Sequence, residues 1–400
     1  MESTFTDRRP DTTGPGSGPL QGLNIAVQPN VSVEGWPAEA GSRALENFTA
    51  LEDATIVRRL REAGAALCGS TRMSEFGFGL EGSRAGAAIK ENAADVELVL
   101  DLMGESRMAA AFSGLCGFKP SSGLVSSLGL IGLIPSMESW GLLSHDPGRF
   151  RKVLGCIAGP DPLDFSLPDE PAPDFDKAAV DPGNTRIGIP AEAAGELSGN
   201  RKSAFEASVE EVKQAGFSVR EVSFPEMELF PLVHNIVGSV EASSSAGRYD
   251  SVRYGRRAPG AKNWNEMYLR SRGAAFGTLV KSYLFQGAYF QFERFEAYED
   301  ACRIRARLVR DMEKLFGQAD FLLLPAGAGG GSGEGASLAD TYEQFAATLF
   351  ANVTGQPALY LPPAPGSKSE GVQLAGPRLS DPRLAALGEH LMNLRQAGGL

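Results

Sequence analysis

The stretch Asp101-Leu-Met-Gly-Glu-Ser-Arg-Met-Ala-Ala-Ala-Phe-Ser-Gly-Leu-Cys-Gly-Phe-Lys-Pro120 decides how the rest of the chain is read. It sets Asp101, Glu105, Arg107 and Lys119 in a run of small and apolar residues. On either side, short apolar segments alternate with amphipathic ones, the order that builds an α/β sheet. Upstream, Leu20-Gln-Gly-Leu-Asn-Ile-Ala-Val27 reads as a strand. Asp53 to Gly64 reads as a helix with Ile56, Val57, Leu60 and Ala63 on one face, Asp53 as its N-cap and Gly64 at its end. Ala65-Ala-Leu-Cys68 reads as a buried strand.

Downstream, residues 167–184 are rich in Pro and Asp and mark either an internal boundary or a surface crossing within one large domain. Beyond them, Arg186-Ile-Gly-Ile189 reads as a strand, Asn200 to Ala215 as a helix with Phe205, Val209 and Val212 inward, and Phe217 to Phe224 as a strand ending at Pro225. One long helix is expected from about Leu284 to Phe316, with Phe292, Phe295, Cys302, Leu308, Met312 and Leu315 on its core side. A strand over Phe321 to Leu324 follows. The Gly-rich loop 326–336 lacks the Gly-Lys-Ser/Thr ending of a phosphate loop and reads as a flexible linker.

At 400 residues and 42 % apolar content the chain is of ordinary globular composition, and its apolar runs are too short for a membrane helix. Residues 1–19 are polar and lack the apolar core of a secretory signal, so they are expected to be a flexible tail of a cytoplasmic protein. A single domain is expected over 20–391, with a short tail over 392–400. Cys68, Cys116, Cys156 and Cys302 lie far apart without a CxxC pair and read as small buried hydrophobes, not as a disulfide framework or a metal site. A net charge of −11 argues against a broad phosphate-binding face, so no direct contact with nucleic acid is expected. None of His145, His234 and His390 sits in a Gly-x-Ser-x-Gly or HExxH context. We therefore expect no metal, no cofactor, and structural or surface roles for all three.

With those segments in place, the 101–120 stretch resembles the amidase signature family, in which Asp-Thr-Gly-Gly-Ser-x-Arg leads into Gly-Leu-Lys-Pro. Pro19-Leu-Gln-Gly-Leu-Asn-Ile-Ala-Val27, Asp53-Ala-Thr-Ile-Val57 and Thr71-Arg-Met-Ser-Glu-Phe76 are similar to one branch of it, the A subunits of glutamyl-tRNA(Gln)/aspartyl-tRNA(Asn) amidotransferases. Glu241-Ala-Ser-Ser-Ser-Ala-Gly-Arg-Tyr-Asp250 and Val252-Arg-Tyr-Gly255 extend the likeness into the C-terminal half. The resemblance implies a large mixed β-sheet with helices on both faces, and B- and C-type partner subunits. Between Gly79 and Gly82 the chain lacks the segment that leads into the family's Gly-Ser-Ser-Gly-Gly motif, of which Gly82-Ser-Arg-Ala-Gly-Ala87 is a worn form.

In the family a neutral lysine takes a proton through a bridging serine from the attacking serine, while glycine amides hold the oxyanion. Carried over residue by residue, the lysine falls at Gln28, the bridge at Arg84 and the nucleophile at Glu105. A glutamine amide is no base, and neither Arg84 nor Glu105 offers a hydroxyl. Leu102 and Met103 replace the threonine and first glycine, leaving Gly104, so the oxyanion turn itself is in doubt. Asp101 and Arg107 are expected to keep holding the loop. Glu105 has two readings: a carboxylate base or nucleophile in an apolar pocket, or a partner of Arg107 or Arg84 that fills a disused site.

The family's glutamine pocket carries an arginine and an aspartate where this chain has Tyr283 (or Ser282) and Phe345, which offer no ion pair to a zwitterion. Three functions follow. The first is a catalytically silent A-subunit relative kept as scaffold or regulator. The second is an active amidase or glutamine-hydrolysing subunit that uses other residues. The third is a small-molecule sensor whose pocket is lined by Gln28, Glu105, Tyr283 and Phe345.

Overall fold

A computed structural model describes residues 3–9, 17–195, 197–224, 226–327, 335–364 and 366–396. Eleven strands form one sheet: β1 (Phe5–Asp7), β2 (Asn24–Val27), β3 (Ala66–Thr71), β4 (Val96–Asp101), β5 (Cys116–Lys119), β6 (Ser139–Ser144), β7 (Arg186–Pro190), β8 (Ser218–Val222), β9 (Phe321–Pro325), β10 (Ala358–Leu361) and β11 (Val372–Ala375). Their order is β1-β3-β2-β4-β6-β5-β10-β11-β9-β7-β8. β2 runs parallel to β3 and β4, and β7 parallel to β8 and β9, whereas the centre is antiparallel. The sheet is thus mixed, with helices on both faces.

Alternation along each strand sends residues to two cores. In β9, Phe321 and Leu323 join the core under the helices Thr55–Glu62, Gly148–Ile157, Gly199–Gln214 and Asp381–Gln396. Leu322 and Leu324 join the opposite core, built from the helices Leu229–Ser245, Thr278–Phe292, Phe295–Gln318 and Leu349–Thr354. A strand buried on both faces reads as an unbroken apolar run, which is why Phe-Leu-Leu-Leu at 321–324 is legible as a strand. Among the described residues no helix is long and apolar enough to cross a membrane.

Several expectations need correcting. Within the tail expected over 1–19, Phe5–Asp7 pairs antiparallel with β3, Phe5 opposite Thr71, because an open sheet edge offers unpaired amides and carbonyls to any nearby strand. Residues 10–16 of that tail lie outside the described residues. The single long helix is two, Thr278–Phe292 and Phe295–Gln318, with Phe292 75 % and Phe295 50 % exposed instead of inward. The helical period runs through the break, but both halves fold back on the helix Leu229–Ser245, and the connecting turn has no core beneath it. Asp53 does not cap its helix; Ala54 occupies that place. The Asp53 carboxylate instead accepts from the Glu34 amide (2.8 Å) and pairs with Arg61.

At the C-terminus, 392–396 continue the helix Asp381–Gln396, since Arg395 is buried against Glu211 (3.0 Å), and 397–400 lie outside the described residues. So does 328–334 of the Gly-rich loop, as does Pro225. Of the cysteines Cys116 is buried, while Cys68, Cys156 and Cys302 are partly exposed. The 167–184 connector brings the chain from the helix Gly148–Ile157 to β7, in the same sheet as β2 to β6.

Where two helices cross closely a side chain is intolerable. A Cβ on Gly287 would lie 1.8 Å from the Ser239 carbonyl oxygen, whereas one on Gly273 meets nothing within 4 Å. Gly287→Ala is predicted to lower stability by about 1–3 kcal/mol through overpacking, and Gly273→Ala to raise it by about 0.5–1 kcal/mol, in urea unfolding. Equal effects of the two substitutions would show that the close crossing is not real.

Candidate functional site

β4 ends at Asp101, the turn Leu102-Met-Gly104 follows, and the helix Glu105–Ser113 begins at once. Gly104 adopts φ +124, and a Cβ there would lie 2.2 Å from Thr348 Oγ1, so the turn requires glycine. Thr348 Oγ1 in turn donates to the Met103 carbonyl at 2.5 Å. The residue sealing the turn therefore comes from 245 positions downstream.

Asp101 and Arg107 form a buried ion pair at 3.3 Å, with both side chains essentially inaccessible. Asn352 donates from Nδ2 to the Asp101 carboxylate (2.8 Å) and accepts from Arg107 (2.7 Å). Arg107 also donates to Gln373 Oε1 (2.6 Å) and the Thr348 carbonyl (2.9 Å). Ser106 donates to Asp101 through both its amide (3.2 Å) and its hydroxyl. Burial would raise the Asp101 carboxyl, but the Arg107 charge and these hydrogen bonds hold it below the usual range. Lys119 Nζ, sealed nearby and bound to the Pro120 carbonyl (2.7 Å), is pushed down to about 8 by burial.

Glu105 pairs with neither arginine, which corrects that expectation. Its Oε2 accepts from the amides of Leu102 (2.7 Å), Met103 (2.7 Å) and Gly104 (3.1 Å), and its Oε1 from the amide of Gly79 (3.2 Å). Consecutive amides converging on one point form a nest, an anion-binding concavity made of backbone alone. Leu102 and Met103 do not prevent the turn from aiming its amides inward, since an amide's direction depends on φ and ψ and not on side-chain bulk. What occupies the nest is the chain's own carboxylate. Burial first, and then the Asp101 charge, push the Glu105 carboxyl up to about 8, opposed by the amides of Met103 and Leu102.

The other positions lie as follows. Gln28, at the end of β2, is buried and accepts from the Leu100 amide through Oε1 (3.0 Å). Arg84 faces a separate cavity and makes no bond to Glu105 among the described residues. Tyr283 and Phe345 are fully buried, and Tyr283 stacks on Phe78 with ring centroids 4.5 Å apart. All four residues expected to line a sensor pocket are at most 4 % exposed, so the space between them is filled by side chains and not open to a ligand.

A buried polar network fills that space, and no local sequence pattern points to it. His234 Nε2 lies 2.9 Å from the Leu102 carbonyl, and its Nδ1 lies 2.9 Å from the Tyr342 hydroxyl, which is 3.1 Å from that of Tyr283. Burial drives the imidazole down to about 3, so the ring is neutral at pH 7. A carbonyl can only accept, which assigns the proton to Nε2 and makes Tyr342 the donor to Nδ1. The two partners of His234 stand 132 and 108 positions away in the chain, beyond the reach of any periodicity argument. Among the described residues no cluster of His, Cys, Asp or Glu could hold a metal.

The chain belongs to the amidase family, whose profile matches residues 6–101 and 86–385. It is 33 % identical to the A subunit of the glutamyl-tRNA(Gln) amidotransferase of Natronomonas pharaonis, over 94 % of this chain and 96 % of that one. With the corresponding protein from Thermus thermophilus it shares 34 % identity over 92 % of this chain and 83 % of the relative. The crystal structure of the Thermotoga maritima counterpart superposes with a TM-score of 0.78 at 21 % identity, covering 97 % of this chain and 86 % of that one, a likeness of fold.

The charges at this centre set two expectations. Deleting the guanidinium in Arg107→Met leaves Asp101 buried and unpaired, with an expected loss of about 3–5 kcal/mol in urea unfolding. The Glu105 carboxyl titrates above its ordinary 4.5 when folded, so its contribution to stability falls as pH rises from about 4.5 to about 8, while His234, pushed down to about 3, acts with the opposite sign below its ordinary 6.5. Glu97 and Glu138, each pushed up to about 7 by burial, act with the same sign as Glu105. Glu105→Gln is expected to flatten the decline measured by urea unfolding at a series of pH values, and an unchanged slope would refute this assignment.

Proposed function

We propose that this chain is a catalytically silent relative of the amidotransferase A subunit, acting in the cytoplasm as a scaffold or regulatory subunit that docks B- and C-type partners. The observation that carries the reading is the Glu105 carboxylate seated in the amide nest. In a serine-relay amidase such a nest receives the oxyanion of the substrate, and a nucleophilic hydroxyl stands beside it. Here the chain's own Glu105 carboxyl takes that place, hydrogen-bonded on both oxygens. Gln28 supplies no base, and Tyr283 and Phe345 supply no charge for the ends of glutamine. Identity of about one third with A subunits, across nearly the whole chain, supports kinship with a component of such an assembly.

The names of those relatives favour a second reading, an active glutamine-hydrolysing subunit or amidase in which Glu105 is base or nucleophile. Its raised carboxyl suits a proton acceptor near neutral pH. Ammonia release from glutamine and small amides, compared between the wild type and Glu105→Ala, separates the two. We expect none above background from either protein, alone or with B- and C-type subunits, and co-elution with those subunits in size-exclusion chromatography. Release that disappears in the variant establishes the second reading, and a chain that elutes alone at micromolar concentration removes the scaffold.

A further inference from the structure

Two cations stand unanswered beside the helix Glu105–Ser113. Arg84 and Lys90 line a cavity of about 440 Å³ together with Ser83, Ser113, Leu80 and Phe112. Among the described residues neither cationic side chain makes an ion pair or hydrogen bond, although the chain as a whole carries −11. The Arg84 Nε is buried and has no acceptor. Buried donors without partners are few in folded proteins, and this one belongs to a partly buried side chain on the cavity wall.

The loop that presents Arg84 is held from behind. The Arg84 amide donates to the Arg72 carbonyl (2.9 Å), the Ala85 amide to Ser83 Oγ (3.2 Å), and the Gly86 amide to the buried Glu97 carboxylate (2.7 Å). At Gly86, φ +85, a Cβ would approach Ser113 Oγ to 2.8 Å, so the loop lies tight against the end of the helix. The backbone that carries Arg84 is thus fixed before a ligand arrives, which lowers the ordering cost of binding, while Lys90 stands exposed at the cavity's edge. The one carboxylate on the lining, Glu91, accepts from Thr4 Oγ1 (2.5 Å). Half-exposed Phe112, with Leu80 and Ala109, adds an apolar wall.

The geometry points to this cavity as a binding site for a small organic anion, a carboxylate or phosphate on an apolar body, gripped by Arg84 and Lys90 and packed on Phe112. Its volume lies in the range of small-ligand sites, roughly 300–1,000 Å³. A guanidinium fork takes either head group through parallel hydrogen bonds. The site sits at the opposite end of the helix from Glu105 and does not rest on any reading of that centre.

Benzoate and phenyl phosphate, with benzyl alcohol as the neutral counterpart, are titrated into the full chain at neutral pH and constant ionic strength, by calorimetry and by thermal unfolding. At least one anion is expected to bind saturably and raise Tm, while benzyl alcohol does neither. Arg84→Gln is expected to weaken that binding about tenfold or more, and Lys90→Gln by a smaller factor. The anion that binds identifies the head group. Saturable binding by neither anion overturns the inference, as does wild-type affinity in the double variant. If Arg84→Gln does not fold by circular dichroism, Arg84→Lys, which keeps the charge and loses the fork, replaces it with the same two outcomes.

Discussion

The centre of this molecule depends on Arg107, a guanidinium sealed from water whose partners come from the strand just before it and from two distant parts of the chain. Asp101 lies on the strand before it, Asn352 and Thr348 on a helix start far downstream, and Gln373 on β11. A buried charge is tolerable only when paired and hydrogen-bonded, so once Arg107 is placed these segments have little freedom to move apart. Thr348 and Asn352, so located, then hold the turn at Leu102 to Gly104 from above. The ion pair is a constraint on geometry more than a source of net stability, since desolvation of both ions offsets much of their attraction.

That constraint explains why the amide nest keeps its shape with the bulky Leu102 and Met103 in it. A nest is made by backbone dihedrals, and its only strict sequence demand is the glycine at 104, where φ is positive and Thr348 leaves no room for a Cβ. Leu102 and Met103 turn their side chains into the apolar core while their amides point the other way. A pre-formed anion site left empty in a dry interior would be costly, and Glu105 satisfies it from one residue away. Burial and the Asp101 charge act against the carboxylate as its four amide donors act for it, and the upward shift of its titration records that balance.

Around the nest, space has been taken up by aromatic side chains. Tyr283, Tyr342, Phe345 and Phe78 are buried together with a neutral His234, and their polar atoms satisfy one another or the backbone. Such a network resists hydration, because a water entering it would have to replace bonds already made. Open volume is found instead at the other end of the helix Glu105–Ser113, where the loop 82–87 meets it.

By itself the sequence determined the class of fold and the identity of the residues at each family position. Apolar runs such as Phe321 to Leu324 and the one-sided pattern of Ile56, Val57 and Leu60 follow from burial, which local periodicity records directly. Residue identity alone also tells that Gln28 is no base near neutral pH and that neither Arg84 nor Glu105 offers a hydroxyl. Tertiary structure alone decided what those side chains touch. Glu105 meets amides and not arginines, His234 meets Tyr342, Phe5 to Asp7 extend the sheet edge, and the aromatic run at 285–295 turns outward at a break between helices. Each of these is set by contacts between residues distant in the chain, or by the absence of a core beneath them, and neither leaves a mark in the local pattern of residues.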